Sequence, residues 1–251
     1  MHFHIPTMLL MLVVAFGVMA MGLAFFAPAQ HRALRLTALG LLVHGAGYAL
    51  LGLRGDIPLL LSILGGNLGI TLAAALYLLA LYRFQERAPH WWLLALPVLI
   101  VGLGMALLLD NYTGRRLLSS LVALCQFAHM ALLLWQRRRH TAGRGQYLVL
   151  CAALVVCATM VQRSAAYVLG MDSARSLHDA TPTVVWTFLI VLLSVLLLAL
   201  GLLMMTQERV EQALSSSEWR YRRLVEAANE GICVLQDGVF RYINPKGTQL
   251  F

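Results

Sequence analysis

Acidic residues are all but missing from the first four-fifths of this sequence. Of the eleven Asp and Glu, only Asp56, Glu86, Asp110, Asp172 and Asp179 precede Glu208. Charged residues of both signs make up 12 % of the 251, and hydrophobic ones 60 %, where a soluble domain carries about 25 % charge. With a mean hydropathy of +0.77, this shortage excludes an ordinary water-soluble fold and leaves an integral membrane protein. Cysteine is also sparse. Cys125, Cys151, Cys157 and Cys233 lie in apolar runs or in the C-terminal tail, and no C-x-x-C occurs. That excludes a disulfide framework and a zinc site and leaves the four as packing residues. The net charge of +8 reads, in so apolar a chain, as loop charge that orients helices, and nothing points to DNA or RNA as a partner.

What the sequence has in abundance is long apolar runs. A helix crosses the hydrocarbon core in about 20 residues, and seven runs of about that length occur: Thr7–Phe26, Leu36–Leu53, Leu59–Tyr82, Trp91–Leu109, Leu117–Trp135, Gln146–Leu169 and Thr183–Thr206. The expected fold is an all-α membrane protein, a seven-helix bundle over residues 1–206. Gly40, Gly45, Gly47 and Gly52 of the second run suit close helix packing. The connections after runs one, three and five hold Arg32, Arg35, Arg83, Arg87, Arg137, Arg138, Arg139 and Arg144. Those after runs two, four and six hold only Arg54, Arg115, Arg116 and Arg175, with Asp56, Asp110, Asp172 and Asp179. The positive-inside rule then puts the N-terminus outside and the tail in the cytoplasm, as expected at a bacterial inner membrane. Ala27-Pro28-Ala29 has the small-x-small form of a signal-peptide cleavage site. Met1–Thr7 carries no Lys or Arg, however, and removing one run leaves an even number, against the charge bias.

Polar side chains inside the runs are costly in lipid and turn toward the bundle interior. At 1.5 Å per residue, Tyr48, Arg163, Tyr167 and Trp186 fall within roughly 10 Å of the outer surface, His44, Asn67 and Gln126 near mid-depth, and His129 slightly deeper. His44 and Tyr48 share a helix face, as do Thr159, Arg163 and Tyr167. Arg163 reads either as snorkelling to the outer headgroups or, with no acid inside the runs, as a guanidinium awaiting a carboxylate. In the second reading Arg163, Tyr167, Tyr48, His44, Asn67, Gln126 and Trp186 form a site for an amphipathic anion such as a fatty acid. His44 and His129 suit interhelical hydrogen bonds. A bis-histidine haem is an alternative reading of the same two residues, since their depths differ by only about 5 Å. Asn67 beside Gly65 and Gly69 is a helix-packing device. His2 and His4 are candidate external metal ligands. A transporter is disfavoured by the absence of intramembrane acids, broken half-helices and a repeat.

After Thr206 the composition changes abruptly to Gln207-Glu208-Arg209-Val210-Glu211-Gln212. Val210, Leu214, Ser217, Tyr221, Leu224 and Ala228 recur at spacings of four and three, which predicts a helix continuing from the last run and pairing with a second copy as a short coiled coil. The period then switches to a strand, Gly231–Gln236, a tight turn at Asp237-Gly238, and a returning strand, Val239–Ile243. Asn244-Pro245 reads as a helix N-cap and first-turn proline.

The wording Glu218-Trp219-Arg220-Tyr221-Arg222-Arg223-Leu224-Val225-Glu226-Ala227-Ala228-Asn229-Glu230-Gly231-Ile232, then the strand pair and Asn244-Pro245-Lys246, resembles the opening of a PAS domain of bacterial signalling proteins. The resemblance implies residues 207–217 as a signalling linker and 218–251 as the first part of an α+β PAS domain, in a chain expected to be truncated. Proteins of this architecture feed membrane helices into a linker, a PAS domain and an output domain, often a GGDEF diguanylate cyclase with or without an EAL phosphodiesterase, sometimes a histidine kinase. Leu36–Phe84, with Leu53-Arg54-Gly55-Asp56-Ile57-Pro58 between two runs and Gly65-Gly66-Asn67 inside the third, resembles the membrane part of the GGDEF type. No GGDEF, EAL, H-box or ATP-binding motif occurs, so this chain is expected to have no catalysis of its own and no cofactor. It is expected to act as a homodimeric receptor for a signal from outside or from the bilayer.

Overall fold

The computed structural model of the protein describes residues 5–26, 31–138, 143–171, 181–237 and 239–249. His2, His4, the Ala27-Pro28-Ala29 motif and Arg175 lie outside the described residues. Internal contacts divide the chain into two units, 1–206 and 207–251.

The first unit holds α1 (Ile5–Phe26), α2 (Arg32–Gly52), a π-helical turn (Leu61–Gly65), α3 (Gly66–Phe84), α4 (Trp91–Leu107), α5 (Tyr112–Gln136), α6 (Gly145–Val168) and the larger part of α7 (Pro182–Glu226). Six helices are long and apolar enough to cross a membrane; α4, apolar but 17 residues long, is shorter. The expected boundaries shift most at α5, which starts at Tyr112 and not at Leu117. Asn111 is the cause: its Oδ1 accepts the Gly114 N–H at 2.8 Å, an N-cap that begins the helix early. Arg115 and Arg116 therefore stand on the first turns of α5 and not in a loop.

Close backbone contact sets the packing. A Cβ on Gly47 would lie 2.9 Å from the Gly66 carbonyl oxygen and 3.0 Å from the Ile70 nitrogen, and one on Gly69 would lie 3.0 Å from the Gly47 Cα. This seam brings α2 against α3 with no side chain between them. Gly40 faces the Tyr77 ring, whereas Gly45 and Gly52 look toward Phe16 and Leu9 of α1. A second seam joins α6 to α7, where a Cβ on Gly145 would lie 2.6 Å from the Gly201 carbonyl oxygen. The core is filled by Phe16, Leu41, Tyr77, Leu81, Val195 and Leu198, all buried. The outer faces are as apolar as the core: Leu10, Met11, Val14 and Val18 on α1 and Leu96, Leu99, Leu103 and Leu107 on α4 are exposed, as fits a surface whose solvent is lipid. Cys125 and Cys151 lie on such exposed faces and Cys233 is exposed too, so only half-buried Cys157 packs as expected. Trp91, Trp92, Trp135 and Tyr147 are exposed where α4 begins, α5 ends and α6 begins. The Arg138 guanidinium lies 4.1 Å from the Trp135 ring centre, the pairing expected at a headgroup boundary.

The second unit contains the end of α7, β1 (Cys233–Gln236), β2 (Val239–Ile243) and a 3-10 turn (Gly247–Gln249). The strands pair antiparallel, Cys233 with Ile243 and Gln236 with Val239, and a register shift leaves Arg241 without an opposite residue. Asp237 takes the left-handed conformation of a tight turn, with φ 53°; Gly238 lies outside the described residues. Asn244, completely buried, holds the unit together. Its Oδ1 accepts from the Ile232 and Gly247 amides at 2.9 and 2.8 Å, and its Nδ2 donates to the Val225 and Glu230 carbonyls, both at 3.0 Å. It thus caps a 3-10 turn in place of the expected α-helix. Capture of the Val225 carbonyl also accompanies the end of α7 at Glu226, so Ala228 falls beyond the helix and leaves the expected stripe. Val210, Leu214, Tyr221 and Leu224 are exposed on α7.

Two substitutions test this packing. Gly47→Val must push backbone apart and should destabilise the bundle by about 1–3 kcal/mol. Gly17→Val, with nothing within 4 Å of its Cβ position, should leave the detergent-solubilised melting temperature unchanged. Asn244→Ala orphans four backbone groups, so deuterium exchange at the Ile232 and Gly247 amides should accelerate by at least tenfold while exchange in the membrane helices stays the same.

Candidate functional site

Five elements of the first unit, α2, α3, α5, α6 and α7, line a partly open cavity of about 140 Å³. One end is basic. Arg54 follows α2, Arg115 and Arg116 stand on the first turns of α5, and Arg163 on the penultimate turn of α6; all four line the cavity, and among the described lining residues there is no Asp or Glu.

Three of these guanidiniums contact neutral groups. Arg163 donates from Nε to the Tyr167 hydroxyl at 2.9 Å and from Nη2 to Ser119 Oγ at 3.4 Å. The Arg116 guanidinium, 8 % exposed, stands 4.1 Å from the centre of the Tyr167 ring and 5.0 Å from that of Tyr112. Arg115 donates to the Leu108 carbonyl at 3.1 Å. Arg54, outside the spanning segments, is held below the ordinary arginine pKa first by burial and then by Arg115, with Tyr112 opposing. Its Nε is buried with no hydrogen-bond partner among the described residues. Ring faces, hydroxyls and a backbone carbonyl thus contact Arg116, Arg163 and Arg115 here.

The other walls are aromatic and apolar. His44 stacks on Tyr48, centroids 5.1 Å apart and planes at 14°, and Tyr48 meets Phe188 edge-on at 5.9 Å. His44 Nδ1 and the Tyr77 hydroxyl share a hydrogen bond at 3.2 Å, while Nε2 is buried with no partner among the described residues. The amides on this wall already serve the backbone: Gln126 Nε2 donates to the Thr71 carbonyl at 3.1 Å and Asn67 Nδ2 to the Ile63 carbonyl at 2.7 Å, within the π-helical turn. From α7 come Val184, Thr187, Phe188 and Val191.

Of the residues singled out in the sequence, Arg163, Tyr48, His44, Asn67 and Gln126 line the cavity, and Tyr167 stands beside it as the partner of Arg163 and Arg116. Trp186 does not belong there. It is 62 % exposed, on the opposite side of α7 from Val184 and Phe188. Depth along a helix sets its assignment, and depth carries no information on facing. Arg163 is likewise not the only cation of the site. Sequence reasoning misses Arg54, Arg115, Arg116 and Tyr112 because they look like loop residues; the signal is Asn111, whose cap puts Tyr112, Arg115 and Arg116 on one helical face. Asn67 does more than pack, since it closes the π-helical turn and faces the cavity. His129 lies elsewhere, its Nε2 at 2.9 Å from the Tyr82 hydroxyl, so the two histidines engage different tyrosines of α3. Among the described residues, no group of three His, Cys, Asp or Glu could hold a metal ion.

A family model described as PAS domain matches residues 220–251, the stretch that contains the last turns of α7, the hairpin and Asn244. No curated protein and no solved structure matches the chain. The fold and the match define a membrane protein with several apolar helices and a PAS segment, the composition of a sensor module.

Tyr77→Phe removes the one hydrogen bond of the His44 ring and should cost about 1–3 kcal/mol of bundle stability. The double variant Tyr77→Phe/His44→Phe, which leaves no orphaned nitrogen, should recover most of that loss in thermal unfolding.

Proposed function

We propose that this chain is the input part of a membrane receptor in which an anionic, amphipathic small molecule occupies the cavity and the resulting shift of α7 is relayed to the PAS segment and an output domain. The observation that carries this reading is the double membership of one helix. α7 supplies Val184, Thr187, Phe188 and Val191 to the cavity wall, and the same helix continues without a break to Glu226, inside the residues that match the PAS family. A cavity rich in guanidiniums and free of carboxylates among its described lining residues is complementary to an anion.

Seven crossings, with α4 as the shortest, place the N-terminus outside and residue 207 onward in the cytoplasm. The charge bias supports this more strongly once Arg54, Arg115 and Arg116 are seen to belong to the cavity, because Arg32, Arg35, Arg83, Arg87, Arg137, Arg138 and Arg144 all lie toward the opposite side. The cavity then faces the exterior or the outer leaflet. The exposed stripe Val210, Leu214, Ser217, Tyr221 and Leu224 pairs with a second copy, and a paired helix with more than one packing register passes on a small shift. The output is a diguanylate cyclase or phosphodiesterase, or alternatively a histidine kinase; the present chain binds and relays and does no chemistry.

Reporter fusions after Arg144 and Glu211 should read as cytoplasmic and fusions after Asn111 and Met171 as external; an external reading after Glu211 removes the seven-crossing topology. In the protein with an output domain beyond the PAS segment, four residues inserted after Gln212 rotate the PAS segment by about 40°, and seven by only about 20° the other way. Four should lock or invert the output and seven should largely preserve it. Equal responsiveness of both reduces the linker to a tether.

A further inference from the structure

The size and walls of the cavity say more about the ligand than its charge does. The space between the helices, about 140 Å³, compares with an apolar cavity of about 150 Å³ that holds a single benzene, so the part of a ligand held there is ring-sized. The cations are grouped at one end. All four cations cluster where α5 begins and α6 ends, whereas toward mid-depth one N–H each of Gln126 and Asn67 is directed to the Thr71 and Ile63 carbonyls and His44 Nε2 is buried with no partner among the described residues. The body of the ligand then meets mainly ring surfaces, His44 stacked on Tyr48 and Tyr48 edge-on to Phe188, with Phe127 also on the cavity wall. Such surfaces favour a flat ring inserted edge or face against them.

We infer that the ligand is a ring-sized aromatic carboxylate, its ring against Tyr48, Phe127 and Phe188 and its carboxylate against Arg163 and the neighbouring guanidiniums. This rests on the reading of the cavity as an anion-sensing site and narrows it from amphipathic anions in general to one class by size and shape. Arg163 is the natural primary contact because its Nε and Nη2 are oriented by Tyr167 and Ser119, which leaves Nη1 and the remaining Nη2 hydrogen for the two carboxylate oxygens.

The test uses the whole chain in lipid nanodiscs with labelled benzoate as the probe and benzamide, cyclohexanecarboxylate and palmitate as competitors. Benzoate should bind saturably. Benzamide, its uncharged counterpart, should compete at least tenfold more weakly, and cyclohexanecarboxylate, which cannot lie flat against the rings, should also compete more weakly. Arg163→Gln should weaken benzoate by roughly 30-fold or more, the usual loss when a buried charged partner is removed. Ala123→Phe, which fills the α5 wall and leaves every arginine in place, should abolish binding, with a thermal melt confirming that both variants are folded. Benzamide competing as well as benzoate, or benzoate binding unaltered by both substitutions, overturns the inference. Palmitate displacing benzoate at equal or lower concentration in an Arg163-dependent way overturns the size argument and leaves anion sensing intact. If no acid in the panel binds in an Arg163-dependent way, anion sensing falls together with the inference.

Discussion

A guanidinium cannot be left without partners in a membrane-embedded bundle, and in this protein four of them converge on one cavity without an acid among its described lining residues. Burying an isolated charge in a low-dielectric interior is prohibitive, so the local architecture depends on the groups that Arg115, Arg116 and Arg163 contact. Tyr167 lends its hydroxyl to Arg163 and its ring face to Arg116; Tyr112 lends its face to Arg116 and Arg115. These tyrosines stand on α6 and α5, so the requirement ties together the ends of the two helices that flank the cavity. A carboxylate in place of any of them would weaken the positive field on which the proposed anion site rests.

The remaining helices create the space. The glycine seam along α2 and α3 draws those backbones together, which turns His44 and Tyr48 of one helix and Asn67, Ile70 and Thr71 of the other toward a common wall. α7 closes the far side with Phe188 and Val191, then crosses α6 at the Gly145–Gly201 contact before it leaves the first unit. In the proposed relay, a helix that is both wall and exit is the simplest means of connecting occupancy to the PAS segment, since a displacement at Phe188 is carried by continuous backbone hydrogen bonds. In the second unit Asn244 does the corresponding job: one side chain joins the end of that helix, the hairpin and the turn beyond it through four hydrogen bonds.

The membrane character and the helix count are legible in the sequence because run length and missing charge are one-dimensional signals. The hairpin is legible from Asp237 and the alternation around it, and the PAS wording is one the family match shares over residues 220–251. Helix ends are less so: Arg115 and Arg116 look like loop arginines until Asn111 is recognised as a cap. Azimuth is the real gap. Depth alone selects Tyr48, His44, Asn67, Gln126 and Arg163, which line the cavity, but it also selects Trp186, which faces outward, because apolar α7 offers no amphipathic contrast to show which side is inside. Arg54 is invisible for a different reason, since only tertiary packing folds the segment after α2 back over the cavity.

The central claim, that filling the cavity moves α7, can be measured directly on the stretch of that helix beyond Thr206. In a background with Cys125, Cys151, Cys157 and Cys233 replaced by serine, Leu214→Cys would be spin-labelled and the distance between the labels of two copies in nanodiscs recorded by pulsed electron resonance with and without saturating benzoate. The account predicts a defined distance distribution that shifts with benzoate and fails to shift when Arg163→Gln is added. An unchanged distribution in the presence of bound benzoate, or the absence of any dipolar coupling between copies, would contradict it.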